Sequence, residues 1–180
     1  MTWRVLNLER VHDGDVVSLD RAEVELTDGT RIDWHDIVRV SVRVVSLVLR
    51  NTEGRYLLLR RHRFIVDRWC WDVAAGKIAE GEAVVEAARR AAIEETGWRP
   101  ALVREVASYH PNPGLSDQVF TVCVGDGAER VGDPDPNEAE QTDWVQRDEV
   151  LSRIQRGEID GLSLTSLLIT FVTDLGQPTS

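Results

Sequence analysis

The stretch between Gly76 and Trp98 constrains the fold more than any other part of the chain. Residues 82–96 are rich in Ala, Glu and Arg, contain neither Pro nor Gly, begin directly after Gly81 and stop at Gly97. That composition and punctuation predict an α-helix. Side chains three or four apart share a helix face. Glu86, Arg90 and Glu94 therefore form one stripe, in which Arg90 can hold either carboxylate, and Glu95 falls beside position 91. A glycine loop at Gly76 leads into the helix. Carboxylates gathered against such a loop suit Mg²⁺ or Mn²⁺, hard cations that take oxygen ligands and bridge to substrate phosphates. The plain alternative is a solvated helix face laced by i,i+4 ion pairs.

The rest of the chain reads as strands mixed with further helices. Val16–Leu19 follows the turn Asp13-Gly14-Asp15, and Ala22–Leu26 alternates up to Asp28-Gly29. Arg31–Trp34 then returns, an antiparallel unit over residues 1–40. Val40–Leu49 is rich in β-branched residues and predicts a central strand, with Tyr56–Arg60 pairing back after the turn at Asn51–Gly54. Strands are expected at Val103–Tyr109, Gln118–Val124 and Trp144-Val145, and helices at Arg147–Arg156 and Ser163–Asp174. Gly125 to Asn137 is a long loop rich in Gly, Asp and Pro, of the kind that often carries function. This order of elements predicts an α/β sandwich around a mixed sheet.

Composition narrows the partners. With 21 basic and 31 acidic residues in 180, the net charge is −10. That balance opposes non-specific nucleic-acid binding, which needs basic surface. No apolar run approaches the roughly 20 residues of a membrane span, and the N-terminus shows no signal-peptide pattern. Cys70 and Cys123 have no metal-ligand spacing and read as small hydrophobes. A reducing, cytoplasmic setting is expected. His62 and His110 are isolated and read as surface or loop residues; His12 and His35 carry no signal. Trp69 and Trp71 precede the glycine loop, placed either to stack on a base or to pack in the core.

The spacing at Gly76, Glu82, Arg90, Glu94, Glu95 and Gly97 resembles the Nudix box, Gly-x5-Glu-x7-Arg-Glu-aliphatic-x-Glu-Glu-x-Gly-aliphatic. The chain departs from it at Ala91, where the family has a glutamate that is commonly a metal ligand; Ala92 and Trp98 are milder departures. Further segments resemble the ADP-ribose pyrophosphatase branch. Trp71–Gly76 is similar to its Trp-Glu-Leu-Pro-Ala-Gly and Arg61–Phe64 to its Arg-Gln-Tyr-Arg. Tyr109–Gln118 is similar to its Tyr-Pro-Ser-Pro-Gly-Phe-Ser-Asp-Glu, with Gln118 where Glu often stands.

The resemblance implies a Nudix α/β/α sandwich over residues 41–180 and an N-terminal sheet over 1–40 that builds a homodimer. It implies cleavage of the pyrophosphate of ADP-ribose or a related nucleoside diphosphate sugar, with Mg²⁺ or Mn²⁺ as cofactor. Metal would fall to Glu94, Glu95 and the carbonyl of Ala75, while Glu82 and Arg90 orient the helix. Glu138 or Glu140 would be the base, and Arg61, Arg63, Trp71, Ser116 and Asp117 would meet substrate. Ala91 and Gln118 also motivate an alternative, a degenerate Nudix domain that binds a nucleotide or sugar phosphate without turning it over. A hydrolase moved to another diphosphate, such as a specialised metabolite, is a third. Neither nucleic acid nor membrane is an expected partner.

Overall fold

The computed structural model describes residues 2–175, which fall into two compact units. The first runs up to Arg43 and takes in Tyr109–Val119. Its sheet has three antiparallel strands in sequence order, β1 (Arg4–His12), β2 (Val17–Glu25) and β3 (Arg31–Val40). The two runs expected at Val16–Leu19 and Ala22–Leu26 form the single strand β2. Asp20 and Arg21 continue it because each finds an ionic partner across the sheet. Asp20 is buried between Arg10 and Arg39, and Arg21 meets Asp36 at 2.9 Å. Tyr109–Val119 is tied to β3: the Val38 N–H donates to the Leu115 carbonyl (2.8 Å), and Asp117 accepts from the Val40 N–H (3.0 Å) and Arg39 (3.1 Å).

The strand expected over Val40–Leu49 is divided. β3 ends at Val40, and Ser41 is held back by bonds from its N–H to the Val16 carbonyl (3.0 Å) and from its hydroxyl to the Asp15 carbonyl (2.9 Å). β4 (Arg43–Leu49) starts afresh and leads into the second unit, Val44–Ser108 and Phe120 onward. There follow β5 (Tyr56–Arg63), β6 (Arg68–Asp72), β7 (Ala74–Ile78), α1 (Val84–Thr96), β8 (Trp98–Arg99), β9 (Leu102–Tyr109) and β10 (Phe120–Asp126). The chain closes with β11 (Glu129–Arg130), β12 (Gln141–Val145), α2 (Arg147–Gln155) and α3 (Gly161–Leu175). β10 starts two residues later than expected, since Gln118 is held in the Tyr109–Val119 segment: its N–H donates to the Ser116 hydroxyl (3.1 Å). The strands order as β7-β4-β10-β9 and β12-β5-β6, with β11 and β8 as a small pair. β4 and β10 run parallel, while β5 is antiparallel to both its neighbours.

Period-two alternation sorts the core into layers. Val45, Leu47 and Leu49 of β4 and Leu57 of β5 pack on Ala87, Ala88 and Ala92 of α1. Val48, Tyr56 and Leu58, the intervening residues, pack with Val150 of α2 and Leu167 and Phe171 of α3. Between the layers, the Ser46 and Ser166 hydroxyls bond at 2.7 Å. The result is an α/β/α sandwich. α1 can lie close because its inner face is alanine.

Candidate active site

α1 has no side-chain N-cap, and its start is fixed from further along by Arg90. Nε and Nη2 of Arg90 donate to the two oxygens of Glu82, both at 3.0 Å, and Nη2 also donates to the Lys77 carbonyl at 2.8 Å. The Ala79 N–H donates to Glu82 at 2.9 Å. This fork ties the glycine loop to the helix and pulls the Glu82 carboxyl down to about 2, chiefly through Arg90 and then the Ala79 N–H. The same pairing raises Arg90. Arg90 also reaches Glu94 at 3.2 Å, whereas Glu86, its other expected partner, lies 3.8 Å from Arg89.

Two glycines sit where space is tight. A Cβ on Gly76 would stand 3.0 Å from the Ala91 Cβ, so loop and helix meet at van der Waals contact there. Gly97 closes α1 in the left-handed region (φ 73°), its N–H on the Ile93 carbonyl. Its own carbonyl accepts from the N–H groups of Val131 (2.8 Å) and Gly132 (3.1 Å). The helix end thereby docks the long loop after β10. Further on, the Asp135 N–H donates to the Glu94 carbonyl (3.3 Å), and the Glu138 N–H donates to Asp135 (3.0 Å).

These contacts build one cavity of about 390 Å³, lined by Ala75, Gly76, Lys77, Arg90, Ala91 and the carboxylates Glu94, Glu95, Asp135 and Glu138. Glu95 is the buried one, 8% exposed. Its Oε2 accepts from Arg61 Nη2 (2.9 Å) and the Ala75 N–H (3.1 Å), while Oε1 takes no hydrogen bond among the described residues. Burial pushes its carboxyl upward, opposed by Arg61 and the Ala75 N–H. Arg61 Nη1 donates to Glu138 at 3.2 Å.

The NUDIX domain profile matches residues 40–164, more than half of the chain and the whole of this loop–helix arrangement. The chain belongs to the NUDIX family. Among its relatives is a CMP-5'-(N-acetyl-N-hydroxy-3-aminopropyl)phosphonate hydrolase of Streptomyces rubellomurinus. That protein is 32% identical over 87% of this chain and 76% of its own length. An ADP-ribose pyrophosphatase of Bacillus subtilis is 26% identical over 66% of this chain and 63% of its own length, just under two thirds. A crystal structure of an ADP compounds hydrolase superposes with a TM-score of 0.84, covering 98% of this chain and 96% of that one at 17% identity. The Nudix fold is shared with it. The sequence similarity is to the ADP-ribose pyrophosphatase-like branch.

Nudix hydrolases generally need a divalent metal ion. The donors here are of the right kind, since four carboxylates line one cavity and hard cations prefer such oxygens. Among the described residues, no three acidic, His or Cys side chains already converge on a point that would hold an ion. The set therefore fits an ion that keeps several waters or takes oxygens from a bound phosphate, as Mg²⁺ commonly does.

The Nudix cavity gathers Ala75, Arg90, Glu94, Glu95 and Glu138 of the predicted site residues, with Glu82 anchored behind Arg90. Glu140 is elsewhere, 3.3 Å from Arg60. Neither Arg61 nor Arg63 lines this cavity: Arg61 holds the carboxylates Glu95 and Glu138, with Asp72 at 3.6 Å, and Arg63 pairs with Asp72 at 2.6 Å. Trp71 packs against the second core with the Arg153 guanidinium 4.0 Å above its ring, and Trp69 is exposed beside Arg60. Ser116 and Asp117 belong to the first unit and are engaged with Gln118, Val40 and Arg39. Cys70 and Cys123 are buried free thiols, and burial pushes Cys123 up to about 12. Sequence reasoning missed Asp135 and Asp72. Asp135 carries no motif; Asp72 is buried with Arg63 and the Ser163 hydroxyl upon it (2.7 and 2.9 Å), and its position inside Trp71–Gly76 was the available signal. No helix among the described residues is long and apolar enough to cross a membrane.

Proposed function

We propose that this Nudix domain hydrolyses the P–O–P anhydride that joins a nucleoside monophosphate to a second phosphoryl or phosphonyl group, with ADP-ribose, related nucleotide sugars and CMP-linked phosphonates as the substrate class. The observation that carries this reading is the single cavity in which Glu94, Glu95, Asp135 and Glu138 face the Gly76 loop, locked by the Arg90–Glu82 fork. The names of the relatives support the class: one acts on a CMP-linked phosphonate, the other on ADP-ribose.

A divalent cation, when bound, neutralises phosphate oxygens and lowers the pKa of water. The chain's own residues do the rest. Glu94, Glu95 and the Ala75 carbonyl offer it oxygens. Arg90 and Glu82 keep the loop and helix in register. Glu138 takes the proton of an attacking water; what supports this choice over Glu140 is that Glu138 lines the cavity and Glu140 does not. The first unit pairs two copies of the chain. Its outer strand β1 leaves Val5, Leu8 and Val11 exposed, and Trp3, just before the strand, is exposed as well.

Ala91 favours a second reading, a Nudix domain that binds its nucleotide without turnover. A panel of ADP-ribose, UDP-glucose, GDP-mannose, NADH and a CMP-linked phosphonate, each with Mg²⁺, Mn²⁺ or EDTA, separates the two. Metal-dependent release of a nucleoside monophosphate from one member is expected. Calorimetric binding without release, with Ala91→Glu switching hydrolysis on, would favour the second reading.

A further inference from the structure

Arg61 follows four buried residues of β5, Tyr56 to Leu59, on the same face as Leu57 and Leu59. Its own side chain is only 12% exposed, against 40% for Arg60. Such a cation persists in an interior only when paired. Its pairing is with the acidic cavity: Nη2 meets Glu95 at 2.9 Å, Nη1 meets Glu138 at 3.2 Å, and Nε stands 3.6 Å from Asp72. Nε makes no hydrogen bond among the described residues. Arg61 is not itself a lining residue of that cavity. It approaches the two carboxylates from the sheet, behind the wall, and takes only Oε2 of Glu95. On the helix side of the same cavity, position 91 offers a methyl group, 2% exposed and in contact with Gly76.

We propose that Arg61 is a built-in cation of this cavity, a positioning residue that holds Glu95 and Glu138 and offsets part of their charge, so setting how tightly the cavity takes up a divalent cation. This rests on the reading of the cavity as a divalent-cation site. The guanidinium charge and an entering ion draw on the same two carboxylates. In a partly desolvated setting a fixed charge at this range is felt strongly and is screened little by salt. With no carboxylate at position 91, Arg61 makes the site weak for free metal and leaves substrate phosphate oxygens to complete the ion's shell. Arg61 therefore acts through Glu95 and Glu138 and does not contact phosphate.

The test is Mn²⁺ binding to the full chain without substrate, read by electron paramagnetic resonance of free Mn²⁺. Arg61→Gln is expected to bind Mn²⁺ at least about tenfold more tightly than wild type, because the offsetting charge is gone. Arg61→Lys, which keeps the charge, is expected to stay within about threefold of wild type. Equal or weaker binding by Arg61→Gln, or equal tightening by Gln and Lys, overturns the proposal while leaving the cation site standing. Mn²⁺ binding to none of the three overturns the divalent reading and this proposal together. Leaving Glu95 buried without its partner can unfold Arg61→Gln, so wild type carries a second readout. Mg²⁺ titration should move the Arg61 Nε–H resonance, assigned by its loss in Arg61→Lys, with the midpoint of Mg²⁺ binding. Saturation with Mg²⁺ while that resonance stays fixed also overturns it.

Discussion

Glu82 shows how one carboxylate can serve architecture and leave a titration signature. It accepts both arms of the Arg90 fork and the Ala79 N–H, and its carboxyl is held at about 2 against an ordinary 4.5. A carboxyl depressed by folding stabilises the native state fully above its unfolded value, and that contribution is lost as pH falls through the folded value. The window here runs from about 4.5 down to about 2. Urea unfolding of wild type and Glu82→Gln should therefore show the variant less stable at pH 7, with the gap closing as pH drops through that window. A gap independent of pH would mean that the fork does not depend on the ionised carboxylate.

At the scale of elements, α1 and the loop after β10 form one working piece, joined through Gly97. Its left-handed conformation and its approach to the backbone leave no space for a side chain: a Cβ would meet the Gly132 carbonyl at 2.4 Å. Left-handed strain costs about 1–2 kcal/mol in a residue with a Cβ, and the clash adds to it. Gly97→Ala should lose at least about 2 kcal/mol by denaturant unfolding. Its turnover should fall further than stability alone accounts for, because Asp135 and Glu138 ride on the displaced loop. Wild-type turnover in a destabilised Gly97→Ala would detach that loop from the site. Much of this piece was legible beforehand. The helix lies within two residues of its expected start, and the box spacing marked Glu82, Arg90, Glu94 and Glu95. What was hidden depends on tertiary contact: the sequence alone does not separate Glu138 from Glu140, because a loop has no period to assign its faces. Arg61 was named for substrate, but its carboxylate partners were not legible: Arg60 and Arg61 each end an apolar row of β5, and only the Arg61 side chain is mostly buried.

Across the whole molecule, the sandwich accounts for most of the burial, with alternating residues of β4 and β5 feeding its two cores. That layering was readable from β-branched and aliphatic runs. The allegiance of Tyr109–Val119 to the N-terminal sheet was not, because it is set by bonds from Val38 and Val40 to Leu115 and Asp117 that no local pattern announces. The proposed pairing of two copies predicts a sedimentation mass twice that of the 20.3 kDa chain. Val5→Asp with Leu8→Asp on β1 should shift it to one chain; dimers unaffected by these charges would place the interface elsewhere. The claim on which the functional account rests is hydrolysis in the acidic cavity. Its most direct test is the rate of nucleoside monophosphate release from ADP-ribose and a CMP-linked phosphonate by wild type and Glu95→Gln at saturating Mg²⁺. The account predicts release that EDTA abolishes and that Glu95→Gln lowers by at least about 100-fold with the fold retained. Equal release by the two proteins, or release that EDTA does not touch, would contradict it.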